Sequence, residues 1–528
     1  MNIKKYLMLG AVALTLGAAT TSCVGDLDLE PIDPSQIFAD PNDPEFVGRA
    51  FSECYALLGL CGNSDPGSSN LTVPDAGASV YTRLLFEMEC FPTDEAFWVW
   101  EDNGLRDMCT TSFTASNKQV EIAYSRFYQH ISICNNFMAL TEGASNPDVV
   151  LMRNEVRALR ALTYFWVCDI FGNASFTTAA PDGTTEPRQL PRAELYAWIE
   201  GELTDLVDHK LLSTDPIYGR VGIDGAEALL ARLYLNAEVY TDGAVSAWDK
   251  CLTRCNNIIT RHKGGGFNGS GLAQHYLYLF SRDNEQYMPG GGNKAENEIL
   301  WGVPFDEDHM QSYGGTTFLL AGALGAGMYG SQASWSCLTA REPLSNRFGG
   351  GDLRTQLWIT DNGIENKGFL DFSIAGYQAL KWTNLTPDGM GGFSSSVMSS
   401  SFCSADLALI RLADVYLMRA ECFLHGQGNE TDALEGVNYV RERAGVAPFE
   451  AITEQDLLDE RQRELYYELT RRSDLIRFGR YTGNGQDVWP WKGNSRAGRR
   501  IKRHYNLMPI PTNIISAQPS MKQNPGYN

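Results

Sequence analysis

ALRALTYFWVCDIFG (residues 158–172), ALLARLYLNAEVYTDG (228–243) and IRLADVYLMRAECFLHG (410–426) are three versions of one pattern: 15–17 residues of Ala, Leu, Arg and aromatics that close on a glycine. Each has the composition of a good helix former, with Gly where a left-handed C-cap belongs. Each also has an amphipathic helical stretch beside it: SRFYQHISICNNFMALT (125–141) before the first, AWDKCLTRCNNIIT (247–260) after the second and ETDALEGVNYVRERAG (430–445) after the third. Small residues such as Ala161, Ala231, Ala237, Ala413 and Ala420 let paired helices approach closely. Helix pairs of this kind bury their faces by stacking on further pairs, as tetratricopeptide repeats do. Plain αα-hairpins of similar composition read the same way at this level, so the pattern predicts a mainly α fold and leaves the repeat type open.

Working outward, the chain has 528 residues, 43% apolar and 11% aromatic, enough for a large core. Its net charge of −21 repels phosphate backbones and argues against nucleic acid as a partner. Residues 1–22 read as an export signal: Lys4 and Lys5, then the apolar stretch 6–20, then Thr21-Ser22 ahead of Cys23. A Cys directly after small residues is the pattern of a lipoprotein cleavage site, with Cys23 the lipidated residue, although Thr20 stands where Leu is usual. Ordinary cleavage near Ser22 is the plainer alternative. Residues 23–45 carry four prolines and seven acids and read as an extended tether. No later segment has 18 uninterrupted apolar residues. The remaining cysteines include no C-x-x-C, and several (Cys54, Cys134, Cys168, Cys422) lie in apolar helical runs, which favours mostly free thiols and no metal site.

The body from 46 to 528 alternates in character. Helical scaffold is expected over about 120–262 and 403–480, and loop-rich structure over about 62–119 and 264–400. The second loop region holds 24 of the 51 glycines and four tryptophans, Trp301, Trp335, Trp358 and Trp382. Loops shown off by a rigid scaffold are where binding usually lives. Near the C-terminus, 457–481 places Leu458, Leu465, Leu469 and Ile476 on one helical face. Arg461 to Arg503 holds twelve Lys/Arg against four Asp/Glu, a basic island that reads either as arginines paired with acids of neighbouring helices or as a docking face.

Signatures of chemistry are missing. Gly325–Gly330 spells G-x-G-x-x-G, but no strand–helix alternation surrounds it. There is no G-x-x-x-x-G-K-[ST], H-E-x-x-H or G-x-S-x-G, and the seven histidines are scattered. No cofactor, catalytic residue or metal ligand is expected.

The C-terminal part carries Glu460-Arg461, Glu464-Leu465, Glu468, Arg472, Asp474-Leu475, Arg477, Leu507, Pro509-Ile510-Pro511 and Gln523–Tyr527. In these positions it resembles the SusD/RagB family of nutrient-binding outer-membrane lipoproteins of Bacteroidetes. EVRALRALTYFWVCDIFGN (155–173) and IRLADVYLMRAE (410–421) resemble two further family segments, with Asn173 in place of the usual acid. The resemblance implies a single body with four tetratricopeptide-like helix pairs and a loop-rich binding half. It also implies attachment to outer-membrane lipid at the cell surface, and a role as the lid of a SusC-like TonB-dependent transporter. The ligand would be an oligosaccharide or, as in the RagB branch, a peptide.

For a sugar ligand, exposed Trp and Tyr stack on apolar ring faces while Asn and Asp take hydroxyls. Trp98 and Trp100 alternate across Val99, so in an extended segment both face one side, with Asp94, Glu101 and Asn103 close by. Trp335 precedes REPLSNRFGGGDLR (341–354), which resembles a family stretch whose upstream aromatics often face ligand. Tyr313 and Tyr329 lie in the same loops. The expected ligand-binding residues are therefore Asp94, Trp98, Trp100, Asn103, Tyr313, Tyr329 and Trp335. The plainer reading has these aromatics packing loops onto helices, as is expected for Trp166, Trp198 and Trp248. A helical-toroid glycoside hydrolase or lyase is the alternative from a different class.

Overall fold

In the computed structural model, which describes residues 40–181, 187–284, 295–323, 326–358, 380–394 and 400–527, the first helix is α1 (Pro44–Gly59). Asp43 caps it, accepting from the Glu45 N–H, and Pro44 fills its first turn. Pro44 and Glu45, read as the end of the tether, therefore belong to the helix. The export signal, Cys23 and the tether up to residue 39 lie outside the described residues.

The scaffold continues through α2 (Tyr81–Glu89), α3 (Lys118–Leu140), α4 (Pro147–Ile170), α5 (Arg192–Asp208), α6 (Ile223–Leu235) and α7 (Trp248–His262). After the loop half, which holds α8 (Gly315–Gly322), it resumes with α9 (Leu412–Leu424), α10 (Glu430–Arg443), α11 (Glu454–Leu465) and α12 (Arg471–Arg477). Caps explain the starts: Asn117 opens α3, Asn146 with Pro147 opens α4, and Thr453 with Asp456 forms a capping box on α11. Neighbours stack in series, α1 on α3, α3 on α4, α4 on α5, α5 on α6, α6 on α7, α7 on α9 and α9 on α10. The fold is mainly α, as the repeated pattern predicted. Gly172, Gly243 and Gly426, which close the three repeats, have φ of 67°, 81° and 78°. At Gly172 a Cβ would also stand 2.9 Å from Leu507.

Among the described residues three short antiparallel ribbons join the loops: β1 (Ala96–Trp98) with β5 (Leu338–Ala340), β2 (Ala174–Phe176) with β3 (Arg188–Leu190), and β4 (Ile299–Val303) with β6 (Leu407–Arg411). Ile410 and Arg411, read as helix, are thus strand, and α9 begins one residue later.

The stretch 457–481 is two helices, so its leucines share no single face. The chain breaks after Leu465, with Tyr467 and Leu469 at φ 66° and 65°. The break turns backbone toward buried cations: Lys381 Nζ donates to the carbonyls of Glu464 (3.2 Å) and Tyr466 (2.7 Å) and to Glu468 (2.6 Å). The Tyr467 N–H meets Glu95 at 3.1 Å.

Around the break lies a buried charge network. Arg354 pairs with Asp352, Glu460 and Glu464; Arg411 pairs with Glu298, Glu464 and Glu468; Arg443 pairs with Glu298 and Glu464. Charges so deep are tolerated only when paired and hydrogen-bonded. Burial alone would raise the Glu464 pKa, but Arg411, Arg443 and Arg354 pull it down to about 2. The first half of the basic island is used the same way: Arg461 meets Asp414 and Asp474, Arg472 meets Glu89 and Asp169, and Arg477 meets Glu421 and Asp474.

Trp166 and Trp248 are buried, and Trp198 packs edge-on against Tyr164 at 5.0 Å. The eleven cysteines of the described residues are all buried free thiols. None of the described helices is long and apolar enough to cross a membrane.

Candidate functional site

The β1–β5 ribbon builds an aromatic edge. Its register sets Ala96 against Ala340 and Trp98 against Leu338, and the Val99 N–H extends it to the Cys337 carbonyl at 2.8 Å. Beyond that bond the β5 side leaves the extended conformation at Ser336, whose φ is 54°, just before Trp335 in the chain. The N–H groups of Trp335 and Cys337 donate to the carbonyls of Ala321 and Gly322 at 2.7 and 2.9 Å, which pins this segment along the end of α8.

The two indoles at this end of the ribbon are placed differently. Trp98 is 2% exposed, stacked on Phe318 of α8 at 5.1 Å and 19°, with its Nε1–H donated to Asp102 at 2.6 Å. Trp100 is 44% exposed and meets Trp98 edge-on at 5.7 Å. Beneath them Arg83 of α2 lies 4.5 Å over the Phe318 ring and 5.6 Å over Trp98, the reach of a cation–π contact. Arg83 is tied to Glu87 (2.9 Å) and Asp75 (3.3 Å). Burial pushes the Glu87 pKa up to about 7 against the pull of Arg83. Trp98, expected to face ligand beside Trp100, is a correction: Phe318 covers it in the core, and of the two indoles only Trp100 is exposed.

The other expected residues are placed as follows. Asn103 is exposed, in the turn after Trp100. Trp335 is half-buried. Tyr313 is 37% exposed, its ring against Phe402 at 5.1 Å, just ahead of α8. It stands about 12 Å along that helix from the Trp335 end. Tyr329 is half-buried beyond α8, and its carbonyl accepts from the Asn384 N–H at 2.9 Å. Asp94 is a correction: it points inward, buried, both oxygens 2.7 Å from Arg471 of α12. Its burial is outweighed by Arg471, which holds it ionised below the usual range, whereas burial drives neighbouring Glu95 up to about 8. Adjacency in sequence to the tryptophans hid this, because the partner lies 377 residues away. Arg83, Asp102 and Phe318 were not anticipated; no local signal marks them.

Gly325 of the G-x-G-x-x-G stretch lies outside the described residues, and Ala326–Tyr329 is a single 3-10 turn. Among the described residues no group of three or more His, Cys, Asp or Glu is arranged to hold a metal ion. A cavity of about 300 Å³ lies elsewhere, between residues 214–225 and β4. The aromatic edge itself is open surface that could stack on planar or ring-shaped groups, with amide and carboxylate acceptors beside it.

A family model described as the SusD family matches residues 237–527. The chain is 31% identical to the starch-binding protein SusD of Bacteroides thetaiotaomicron over 99% of both chains. It is 26% identical to the SusD-like protein P25 of Formosa agariphila over 71% of this chain and 72% of that one. A solved SusD superfamily protein from Parabacteroides distasonis superposes with a TM-score of 0.68 at 22% identity, covering 92% of this chain and 99% of that one.

Proposed function

This chain belongs to the SusD family, and on that footing we propose that it is a non-catalytic surface protein that captures an oligosaccharide on the aromatic edge around Trp100 and hands it to a SusC-like TonB-dependent transporter of the outer membrane. Lipidation at Cys23 would hold it there. The observation that carries the reading is Trp100, a large indole left exposed on a second indole that is stacked and hydrogen-bonded in place. Sugar rings offer apolar C–H faces to such a surface, and the relative over the full chain is named for binding starch. Trp335, Tyr313 and Tyr329 extend the contact, and Asn103 and Asp102 supply hydroxyl partners.

The test is affinity gel electrophoresis against amylopectin, laminarin and a peptide panel, with Trp100→Ala beside wild type. Retardation by a glycan, weakened about 5- to 100-fold in the variant with an unchanged melting temperature, is the expected result. Release of new reducing ends on incubation would refute the non-catalytic reading. Retardation that ignores Trp100→Ala would remove this edge from the binding site. Transfer is tested by reconstituting the protein with the transporter and measuring uptake, which should fall when the lipidated N-terminus is deleted.

A further inference from the structure

The basic island splits in two. Up to Arg477 its arginines are buried or half-buried and paired with carboxylates. Arg499, Arg500, Lys502 and Arg503 are exposed, and none of them forms an ion pair with any carboxylate among the described residues. Four unpaired cations within five residues stand out on a chain of net charge −21. Like charges so close repel one another, so an unpaired cluster costs stability unless a counter-charge visits it.

The segment is also built rather than merely basic. Ile501, in the middle of the cations, is buried with Leu475, Tyr481 and Trp489. Its N–H and C=O are gripped by the single side chain of Gln486, at 2.8 and 3.1 Å. The Arg499 N–H donates to the Lys492 carbonyl at 3.0 Å. Lys492 is in turn buried over the Trp489 ring at 4.0 Å, with its ammonium on the carbonyls of Tyr481 and Asp487 at 2.6 Å each. One apolar anchor therefore fixes the backbone while the cations on both sides project into solvent. Runs of this kind read as patches for nucleic acid or heparin-like polymers, and the charge of the whole chain disfavours the first.

Its position favours a polysaccharide over a lipid surface. The Asn494 N–H donates to the Thr110 carbonyl at 3.0 Å, at the end of the Leu105–Cys109 turn of helix that follows Trp100 and Asn103. Buried Arg341 then ties three pieces together: it donates to the carbonyls of Ala96 on β1 (2.8 Å), of Cys109, and of Pro490 (3.1 Å) at the base of the basic loop. These bonds fix the base of the basic loop to the Leu105–Cys109 helix and to the strand that leads to the aromatic edge.

We propose that residues 499–503 form a second, electrostatic binding site for polysaccharide bearing sulfate or carboxylate groups. The site rests on the glycan reading for its ligand class, while its geometry stands apart from it. Arg499, Arg500 and Arg503 offer forked donors to sulfate or carboxylate, and Lys502 a point charge.

Heparin and polygalacturonate serve as polyanions and amylopectin as the neutral glycan, measured by calorimetry on wild type, on Trp100→Ala and on Arg499→Ser/Arg500→Ser/Lys502→Ser. Wild type should bind at least one polyanion. The triple variant should bind it roughly tenfold or more weakly, from three exposed charge contacts each worth a factor of about two to five. Binding should also weaken as salt rises from about 50 to 300 mM. Amylopectin binding and the melting temperature should not change in the triple variant, whose side chains hold no internal ion pair. Polyanion binding that survives when amylopectin binding is absent would sink the reading of the aromatic edge as a neutral-glycan site and uphold this one. No binding of either polyanion, or equal binding by the triple variant, would overturn the proposal. So would binding to anionic phospholipid vesicles without binding to the soluble polymers.

Discussion

Glu464→Gln tests whether the buried charge network holds the loop half on the scaffold. Glu464 accepts from Arg354, Arg411 and Arg443 and has no exposed surface. Gln keeps the shape but leaves three guanidinium groups short of one negative charge. Removing one partner of a buried ion pair costs about 3–5 kcal/mol. A second route gives a similar figure: a carboxyl held at about 2, against 4.5 unfolded, contributes ~3 kcal/mol at neutral pH. The sign follows from the depressed folded value. The contribution is complete above about 4.5 and is lost as pH falls from there to about 2. Unfolding entropy of ~2.1 cal/mol/K per residue makes 1 kcal/mol worth about 1 °C in a body of this size, so the melting temperature should drop by about 3–5 °C at pH 7. Urea unfolding followed by tryptophan fluorescence at pH 7 and pH 3 is the assay, and the gap between variant and wild type should narrow at pH 3. A loss under about 1 kcal/mol at pH 7, or an equal gap at both pH values, would refute the reasoning.

Trp98→Ala should destabilise by about 3–5 kcal/mol, because its indole is core, whereas Trp100→Ala should cost under about 1 kcal/mol; thermal unfolding of the pair decides this. Glu95→Gln should stabilise at pH 8 and be neutral at pH 4.5. The folded Glu95 carboxyl, raised to about 8, loses stability for wild type as pH climbs from 4.5 to 8, and Gln has no proton to lose. Gly172→Ala should cost roughly 1–3 kcal/mol by urea unfolding, from its φ of 67° and the Leu507 contact. Dithiothreitol should leave the melting temperature in place, since the described cysteines are free thiols.

The helical scaffold was legible because its signals are local. Three glycines closing three Ala/Leu/aromatic runs mark C-caps that need no knowledge of the rest of the chain, and all three adopt the left-handed conformation. The break after Leu465 was not legible. Period and propensity favour helix through Tyr467 and Leu469, and what overrides them is a lysine and an arginine that approach from far along the chain. The aromatic edge was half legible. Alternation put Trp98 and Trp100 on one face, but which of them is covered depends on Phe318, which no local pattern connects to them. Asp94 failed for the same reason, its partner being Arg471. The basic island was read as one feature and is two, because burial of arginines is decided by carboxylates on other helices.

Under the proposed function, the stacked and bonded state of Trp98 has a consequence for how Trp100 would discriminate. A recognition edge set in advance does not mould itself to its guest, so the conformational cost of fitting falls on the glycan. A polymer whose free shape already follows the edge would lose little on contact. A limp or differently coiled chain of the same sugars has to be straightened first. Under the proposed function, the edge would then act as a gauge of curvature, sorting polymers by the helix they wind in water before any hydroxyl is read.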